Sequence, residues 1–214
     1  MNIRMTRLED LSAVVECHKR AFPEALSSKL GNDFIHKMLE WYIISDRGVL
    51  FHVADENGTI QGYCGGIITL EPGLLGASSS ISQYAFTSFI WSYAKRPWVF
   101  FHPDNYKRVP LILRNIAYKM RLKTKHKSTN AVSLDAFIPF MGLVVIGADP
   151  ASHGKGYGSA MLQEFEASAR IQPGVKRIQL TVKSTNEKAI LSYLRNGWII
   201  TSDANTTKTL IKSL

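Results

Sequence analysis

The sequence predicts an α/β fold in which helices flank a sheet. From residue 136 onward, strand-like and helix-like segments alternate, and a glycine-rich loop joins one strand directly to the next helix. Strands that alternate with helices typically build a sheet with a ligand crevice at the strand ends. The 214 residues suit one domain over 1–214, with a helical insertion at about 71–135.

The N-terminal part predicts three strands and two helices. Thr6 and Glu9 have the spacing of a capping box, which predicts that a helix begins there. Pro23 ends that helix, and a second helix is predicted from Gly31 to Ile44. The predicted strands are residues 2–5, 49–54 and 59–69.

The insertion differs in composition from its surroundings. An aromatic, helix-like run occupies 84–101, and a second helix with a basic tail is predicted at about 110–127. The longest mostly apolar stretch, 81–94, falls short of the roughly 20 residues that a membrane span needs. We therefore expect a cytoplasmic protein, and a membrane-surface role for 84–127 is the less favoured alternative.

The C-terminal part predicts three strands and two helices in alternation. The expected strands are 141–148, 177–183 and 198–201, the helices are 156–170 and 187–195, and a last edge strand is expected at 208–212.

Charge and cysteine content narrow the classes of function. The net charge of +9 favours anionic partners. No nucleic-acid-binding motif accompanies that charge, so nucleic acid is not expected. Cys17 and Cys64 lack metal ligands at a useful spacing, which predicts reduced core thiols and no metal site.

The segment from 146 to 159 has the features of a phosphate-binding loop. A buried strand ends at Ala148, Pro150 blocks its continuation, and glycines at 154, 156 and 158 precede an amphipathic helix. Unpaired N–H groups and the helix dipole favour an anion at such a helix start. Lys155 adds a full positive charge. The loop therefore predicts a pyrophosphate site on residues 154–159, or else a glycine-rich turn that only allows close packing.

Two motifs resemble the GCN5-related N-acetyltransferase (GNAT) superfamily. The first runs from His153 to Gly158, with His153 where the family has Gln or Arg. The second begins at Asn186 and continues through Ala189, Tyr193 and Gly197 to Trp198, which replaces the family's Phe. Both motifs have the family's order and separation. The resemblance covers about 140–200 and implies a mixed, largely antiparallel twisted sheet.

The resemblance also implies roles for individual residues. Acetyl-CoA would be the co-substrate, and Tyr193 would be the general acid near its sulfur. Backbone groups of the strand would bind the pantetheine arm, the loop would bind the pyrophosphate, and Asn186 would hydrogen-bond the cofactor. The cofactor-binding residues implied are Ile146, Gly147, Ala148, His153, Gly154, Lys155, Gly156, Tyr157, Gly158, Ser159 and Asn186. Asn186 could instead be a helix N-cap, and Tyr193 a core aromatic.

The acceptor is expected to be a primary amine of a small molecule, with a nucleotide-linked amino sugar as one candidate. The alternatives are a protein N-terminal or lysine acetyltransferase, and a non-catalytic acyl-CoA-binding module. Glu71 and Asp135 are candidates for the base that deprotonates the amine. Homodimers are common in the family, although nothing in the sequence specifies an interface.

Overall fold

The computed structural model describes residues 1–103 and 137–214. The strands in these ranges are β1 (Asn2–Met5), β2 (Gly48–Ala54), β3 (Ile60–Thr69), β4 (Phe140–Ala148), β5 (Arg177–Lys183), β6 (Ile199–Asp203) and β7 (Thr207–Ser213). The helices are α1 (Leu11–Ala21), α2 (Leu26–Leu30), α3 (Asn32–Ile44), α4 (Ala77–Tyr84), α5 (Phe86–Lys95), α6 (Tyr157–Ile171) and α7 (Glu187–Arg195). The predicted helix and basic tail at 110–127 lie outside the described residues.

One mixed sheet organises the described residues. Its strand order is β1-β2-β3-β4-β5-β7-β6, and β4 and β5 form its parallel pair, while the other neighbours are antiparallel. The predicted α/β class with a largely antiparallel sheet is confirmed. The prediction of an edge strand at 208–212 is wrong, because β7 lies between β5 and β6 and leaves β6 at the edge.

The start of the first helix also differs from its prediction. A 3-10 turn at Leu8–Asp10 precedes α1, and the Arg7 N–H donates to the Asp10 carboxylate at 2.9 Å. The cap thus lies one residue later than the Thr6–Glu9 pair predicted. Thr6 is buried, and its hydroxyl contacts His52 Nδ1 at 3.0 Å instead.

A β-bulge in β4 changes which side chains face which layer. Gly65 pairs with Val145 and Gly66 pairs with Leu143, so Val144 has no partner on β3. Before the bulge, Met141 and Leu143 face the core under α6 and α7. After the bulge, Ile146 and Ala148 face that core, while Val145 packs with the α1 and α3 side. The extra residue therefore inverts the alternation of the strand.

The two central strands separate beyond the middle of the sheet. The parallel register of β4 and β5 ends at Leu143↔Leu180, although β4 continues to Ala148 and β5 to Lys183. On the other edge of β4, the Asp149 N–H donates to Gln61 O at 2.8 Å. Antiparallel alternation then places the N–H and C=O of Ile146 and Ala148 on the edge that faces the gap.

The described part of the insertion packs beside α2. Its aromatic run forms α5 and a 3-10 turn at Pro97–Phe101. The Ala/Ser stretch that precedes this run forms α4, which the sequence interpretation left without a helix. Arg96 fixes the segment to the rest of the domain by donating to Leu30 O at 2.7 Å. Across residues 1–103 and 137–214, no helix has both the length and the apolar character that a membrane crossing needs.

Candidate functional site

A wedge-shaped cavity lies where β4 and β5 separate. It has a volume of about 250 Å³ and is lined by Leu143–Ile146 of β4, 180–183 of β5, Phe22 and Tyr193. Phe22 follows α1 on one face of the sheet, and Tyr193 belongs to α7 on the other. The bulged Val144 lies in this wedge and is 40% exposed. The wedge therefore combines a gap between strands with unpaired backbone groups of β4.

The glycine-rich loop leads from β4 to the N-terminus of α6. Gly154 and Gly156 have φ of 80° and 84°, in the left-handed region that favours glycine. The first hydrogen bond within α6 joins Ala160 N to Gly156 O at 3.0 Å. The N–H groups of residues 157–159 therefore have no acceptor inside the helix. A Cβ added at Gly154, Gly156 or Gly158 would meet nothing within 4 Å, so the space above the loop is open.

Three side-chain contacts hold the base of this loop. The Asp149 side chain caps the short turn at Pro150–Ser152 by accepting from Ala151 N at 3.0 Å, and it also forms an ion pair with Arg20 of α1. The guanidinium of Arg20 and the Ala151 N–H lower the pKa of Asp149. Ser152 is buried and donates to Gln61 Oε1 at 2.5 Å. These bonds fix the path of the chain before the glycines begin.

Tyr193 places its ring in the wall of the wedge. The residue is buried, and its ring centroid lies 5.9 Å from that of Trp198. Burial, with a smaller contribution from Cys64, raises the pKa of Tyr193 to about 12. The phenol therefore keeps its proton at neutral pH. Among the described residues, none accepts a hydrogen bond from this hydroxyl, which leaves it available to a molecule in the wedge.

A second cavity of about 430 Å³ lies on the α1 side of the sheet. It is enclosed by residues of α1 to α5 together with Val144 and Val145 of β4. Phe22, Val144 and Val145 line both cavities. The two cavities therefore meet at the bulge in β4.

A buried hydrogen-bond chain lies beside this second cavity. Tyr63 Oη contacts His18 Nδ1 at 2.5 Å, and His18 Nε2 contacts Ser27 Oγ at 2.8 Å. Burial keeps Tyr63 protonated by raising its pKa, and within the described residues His18 is the partner of its hydroxyl. Tyr63 therefore donates to Nδ1, and Nε2–H donates to Ser27. Ser27 Oγ then accepts from His18, and its own hydrogen can be donated to a molecule in the cavity, which Ser27 lines.

The segment that carries the wedge strand β4, the loop and Tyr193 matches the model of a known protein family. The model of the Acetyltransferase (GNAT) family matches residues 133–198, which include the wedge strands, the glycine-rich loop and Tyr193. Residues 133–198 therefore resemble a GNAT acetyltransferase domain. The resemblance inferred from the two motifs is confirmed over these residues. A comparison with curated proteins finds no match by sequence.

Solved structures of GNAT acetyltransferases share the fold. An acetyltransferase from Thermus thermophilus aligns with a TM-score of 0.55 and 12% identity, over 100% of this chain and 98% of that chain. NAA60 of Arabidopsis thaliana in complex with acetyl-CoA aligns with a TM-score of 0.55 and 13% identity, over 100% of this chain and 98% of that chain. A spermidine N-acetyltransferase SpeG chimera from Vibrio cholerae and hSSAT aligns with a TM-score of 0.52 and 14% identity, over 100% of this chain and 96% of that chain. These TM-scores and coverages show the GNAT fold, and the low identities leave the acceptor open.

Most of the predicted site residues lie in the wedge, on the loop or in the first turn of α6. Tyr193 and Ile146 line the wedge. His153, Gly154, Lys155 and Gly156 are exposed on the loop. Tyr157, Gly158 and Ser159 form the first turn of α6, where Ser159 Oγ contacts Asn196 Nδ2 at 3.4 Å. Their roles in cofactor binding remain predictions.

Three other predicted residues have structural contacts of their own. Gly147 lies against α1, where an added Cβ would come within 2.5 Å of the Phe22 ring. Ala148 packs against the core under α6. Asn186 caps α7 by accepting from Ala189 N at 3.3 Å, as its alternative interpretation expected. Gly147 and Ala148 do not line the wedge, so they could contribute only backbone groups beyond it.

The sequence interpretation missed Phe22, His18 and the bulged Val144. No local pattern signals that β4 carries an extra residue, because its run of apolar residues is continuous. His18 follows the helical spacing of α1 and therefore resembles an ordinary core position. The candidate base Glu71 is exposed and lines neither cavity, and Asp135 lies outside the described residues.

The two cysteines are buried free thiols, as predicted. Burial raises the pKa of Cys17 to about 11 and raises that of Cys64 further. Both side chains are therefore neutral thiols at physiological pH, which does not suit a nucleophile. In residues 1–103 and 137–214, no group of three His, Cys, Asp or Glu side chains is placed to hold a metal ion.

The buried His18 predicts a pH dependence of stability. Burial lowers the pKa of His18 to about 4, whereas an unfolded chain protonates it near 6.5. Between these values the unfolded state binds more protons, so His18 costs the folded state up to about 1.4 kcal/mol per pH unit as the pH falls. As the pH falls from 6.5 to 4, the free energy of unfolding should therefore decrease more for the wild type than for His18→Gln. Urea unfolding of both proteins over this pH range measures the two free energies. Equal changes with pH in the two proteins would contradict the lowered pKa of His18.

Proposed function

We propose that this protein is an acetyl-CoA-dependent N-acetyltransferase that acetylates the primary amine of a small molecule. The observation that carries the proposal is the junction of two cavities at Val144. The wedge lies between β5 and the strand β4, which leads into the glycine-rich loop, and the larger cavity lies on the opposite side of the same bulge. A two-substrate transfer needs both reactants to meet at one point in a fixed orientation. Phe22, Val144 and Val145 border both cavities.

The loop and the wedge fit acetyl-CoA as co-substrate. The pyrophosphate would lie on the N–H groups of residues 157–159, in the open space above Gly154 and Gly158, with Lys155 supplying positive charge. The pantetheine arm would follow the edge of β4 that faces the gap, where the backbone groups of Ile146 and Ala148 can pair with its amides. The thioester then reaches the bulge, and unpaired backbone N–H groups near Val144 would polarise its carbonyl.

The transfer requires one donor and one acceptor of protons. A lysine-type amine has a pKa of about 10.4, so the site must receive the neutral amine or remove its proton. The amine nitrogen forms a bond to the acetyl carbon, and the carbon–sulfur bond breaks. Tyr193, kept protonated by burial, donates its phenolic proton to the departing thiolate. The attacking nitrogen gives up its extra proton to water and keeps one N–H in the amide, and solvent returns a proton to the Tyr193 phenolate.

Protein acetylation is the second candidate, because NAA60 of Arabidopsis thaliana and Naa20 of Chaetomium thermophilum share this fold. The enclosure of the larger cavity by α1 to α5 favours a small acceptor over an extended peptide. We further propose that residues 1–214 act as a single cytoplasmic domain. A non-catalytic acyl-CoA-binding module is the remaining alternative, and the hydroxyl of Tyr193 in the wedge argues for catalysis.

Calorimetric titration with acetyl-CoA, followed by a thiol-release assay with a panel of amines, tests the proposal. We expect micromolar binding and amine-dependent release of free coenzyme A. Binding without release for any small amine or N-terminal peptide would indicate the non-catalytic module. The absence of binding to the folded protein would overturn the proposal altogether.

A further inference from the structure

The larger cavity presents mainly apolar side chains to the acceptor among the residues that the structure describes. Its walls are mainly aromatic and aliphatic, with Phe22, Leu26, Leu30, Phe34, Phe86 and Phe89 among them. The polar groups that line it are the hydroxyls of Ser27, Tyr42, Ser78 and Ser82 and the imidazole of His18. Among the described residues, no Asp, Glu, Lys or Arg lines this cavity. The pKa of about 4 also leaves His18 uncharged at neutral pH.

This environment discriminates between classes of amine. A second ammonium or a phosphate would lose its hydration in the cavity without meeting an opposite charge, which is strongly unfavourable. A sugar would place several of its hydroxyls against the aromatic and aliphatic side chains that form most of this wall. An apolar body replaces water at apolar walls and gains free energy. A single hydrogen-bond acceptor on that body could accept from the O–H of Ser27, because the Tyr63–His18 chain makes Ser27 Oγ an acceptor toward His18 and leaves its hydrogen to donate.

We infer that the acceptor is a primary amine on an uncharged, mainly apolar body that occupies this cavity. The inference rests on the proposed function, because the amine must reach the wedge at Val144. It argues against an amino sugar, the candidate acceptor that the sequence suggested. It also separates this chain from the spermidine N-acetyltransferase chimera with the same fold, because spermidine carries more than one ammonium group at neutral pH.

The matched probes are 2-phenylethylamine, spermidine and glucosamine, tested in the thiol-release assay with saturating acetyl-CoA. We expect kcat/KM for 2-phenylethylamine to exceed the values for the other two probes by at least tenfold. A preference for spermidine, for glucosamine or for an N-terminal peptide would overturn the inference while leaving the acetyltransferase function intact.

A cavity-filling variant tests the location. Ser82 of α4 lines the cavity, whereas Thr87 of α5 is exposed outside it. Ser82→Phe should raise KM for 2-phenylethylamine at least tenfold with an unchanged Kd for acetyl-CoA, and Thr87→Phe should change neither. Equal KM in both variants would place the acceptor elsewhere and overturn the inference.

Binding of 2-phenylethylamine without acetyl-CoA, measured by saturation-transfer NMR, separates the two hypotheses. Binding that Ser82→Phe abolishes would support the cavity even if acetyl-CoA did not bind. A wild-type protein that transfers acetyl groups but does not bind this amine would refute the cavity assignment alone.

Discussion

Gly158→Glu should weaken acetyl-CoA binding by at least about 100-fold. Gly158 lies in the first turn of α6, with open space where a side chain would project. A carboxylate there would occupy the position of the pyrophosphate and repel it. Gly156 is a poorer site for this test, because its φ of 84° would strain any other residue. Calorimetric titration of the wild type and the variant measures the change.

Folding and binding should respond to this substitution in opposite directions. A negative side chain in the first turn of a helix interacts favourably with the positive end of the helix macrodipole. The melting temperature of Gly158→Glu should therefore equal or exceed that of the wild type while binding is lost. Gly158→Gln, which has the same size without charge, should lose less affinity, and Gly158→Ala should lose least. Affinity of the Glu variant within about threefold of the wild type would exclude a pyrophosphate at this turn.

Tyr193→Phe should lower kcat by about 10²- to 10³-fold. The phenyl ring would keep its contact with Trp198, so KM for both substrates and the melting temperature should change little. The hydroxyl has no partner among the described residues, and its removal leaves no protein donor or acceptor unsatisfied. Steady-state kinetics with the best amine of the panel, together with a thermal melt, separate the chemical effect from a folding defect.

Tyr84→Phe provides the matched control, because Tyr84 is exposed on α4 and its hydroxyl donates to Glu40 at 2.5 Å. This variant should keep the wild-type kcat. If Tyr193→Phe also kept the wild-type kcat, the thiolate would receive its proton from another donor. Tyr193 would then be a core aromatic residue, as its alternative interpretation held.

The elements that the sequence predicted well are those with a local signal. Pro150 and the glycines from 154 to 158 mark a strand end and a helix start by their own backbone preferences. Asn186 likewise marks the start of α7. These signals placed β4, β5, α6 and α7 within a residue or two of their positions, and they identified the loop.

The residues that the sequence did not reveal depend on contacts between distant segments. Phe22 enters the site because α1 packs against Gly147, and Tyr63 reaches His18 across 45 positions of the chain. The separation of β4 from β5 has no counterpart in the composition of either strand. The interior place of β7 also follows from the order of pairing rather than from its residues.

Because Val144 of β4 has no partner on β3, the structure of this strand depends more on its number of residues than on which apolar residues it contains. Alternation of side chains resumes in the opposite phase after Val144. Removing one residue at this position would turn Ile146 and Ala148 toward α1 and would turn Gly147 away from Phe22. Both the fit of α1 and the edge available to a pantetheine chain would be lost together. Insertions and deletions here are therefore far more damaging than substitutions among Val, Ile and Leu.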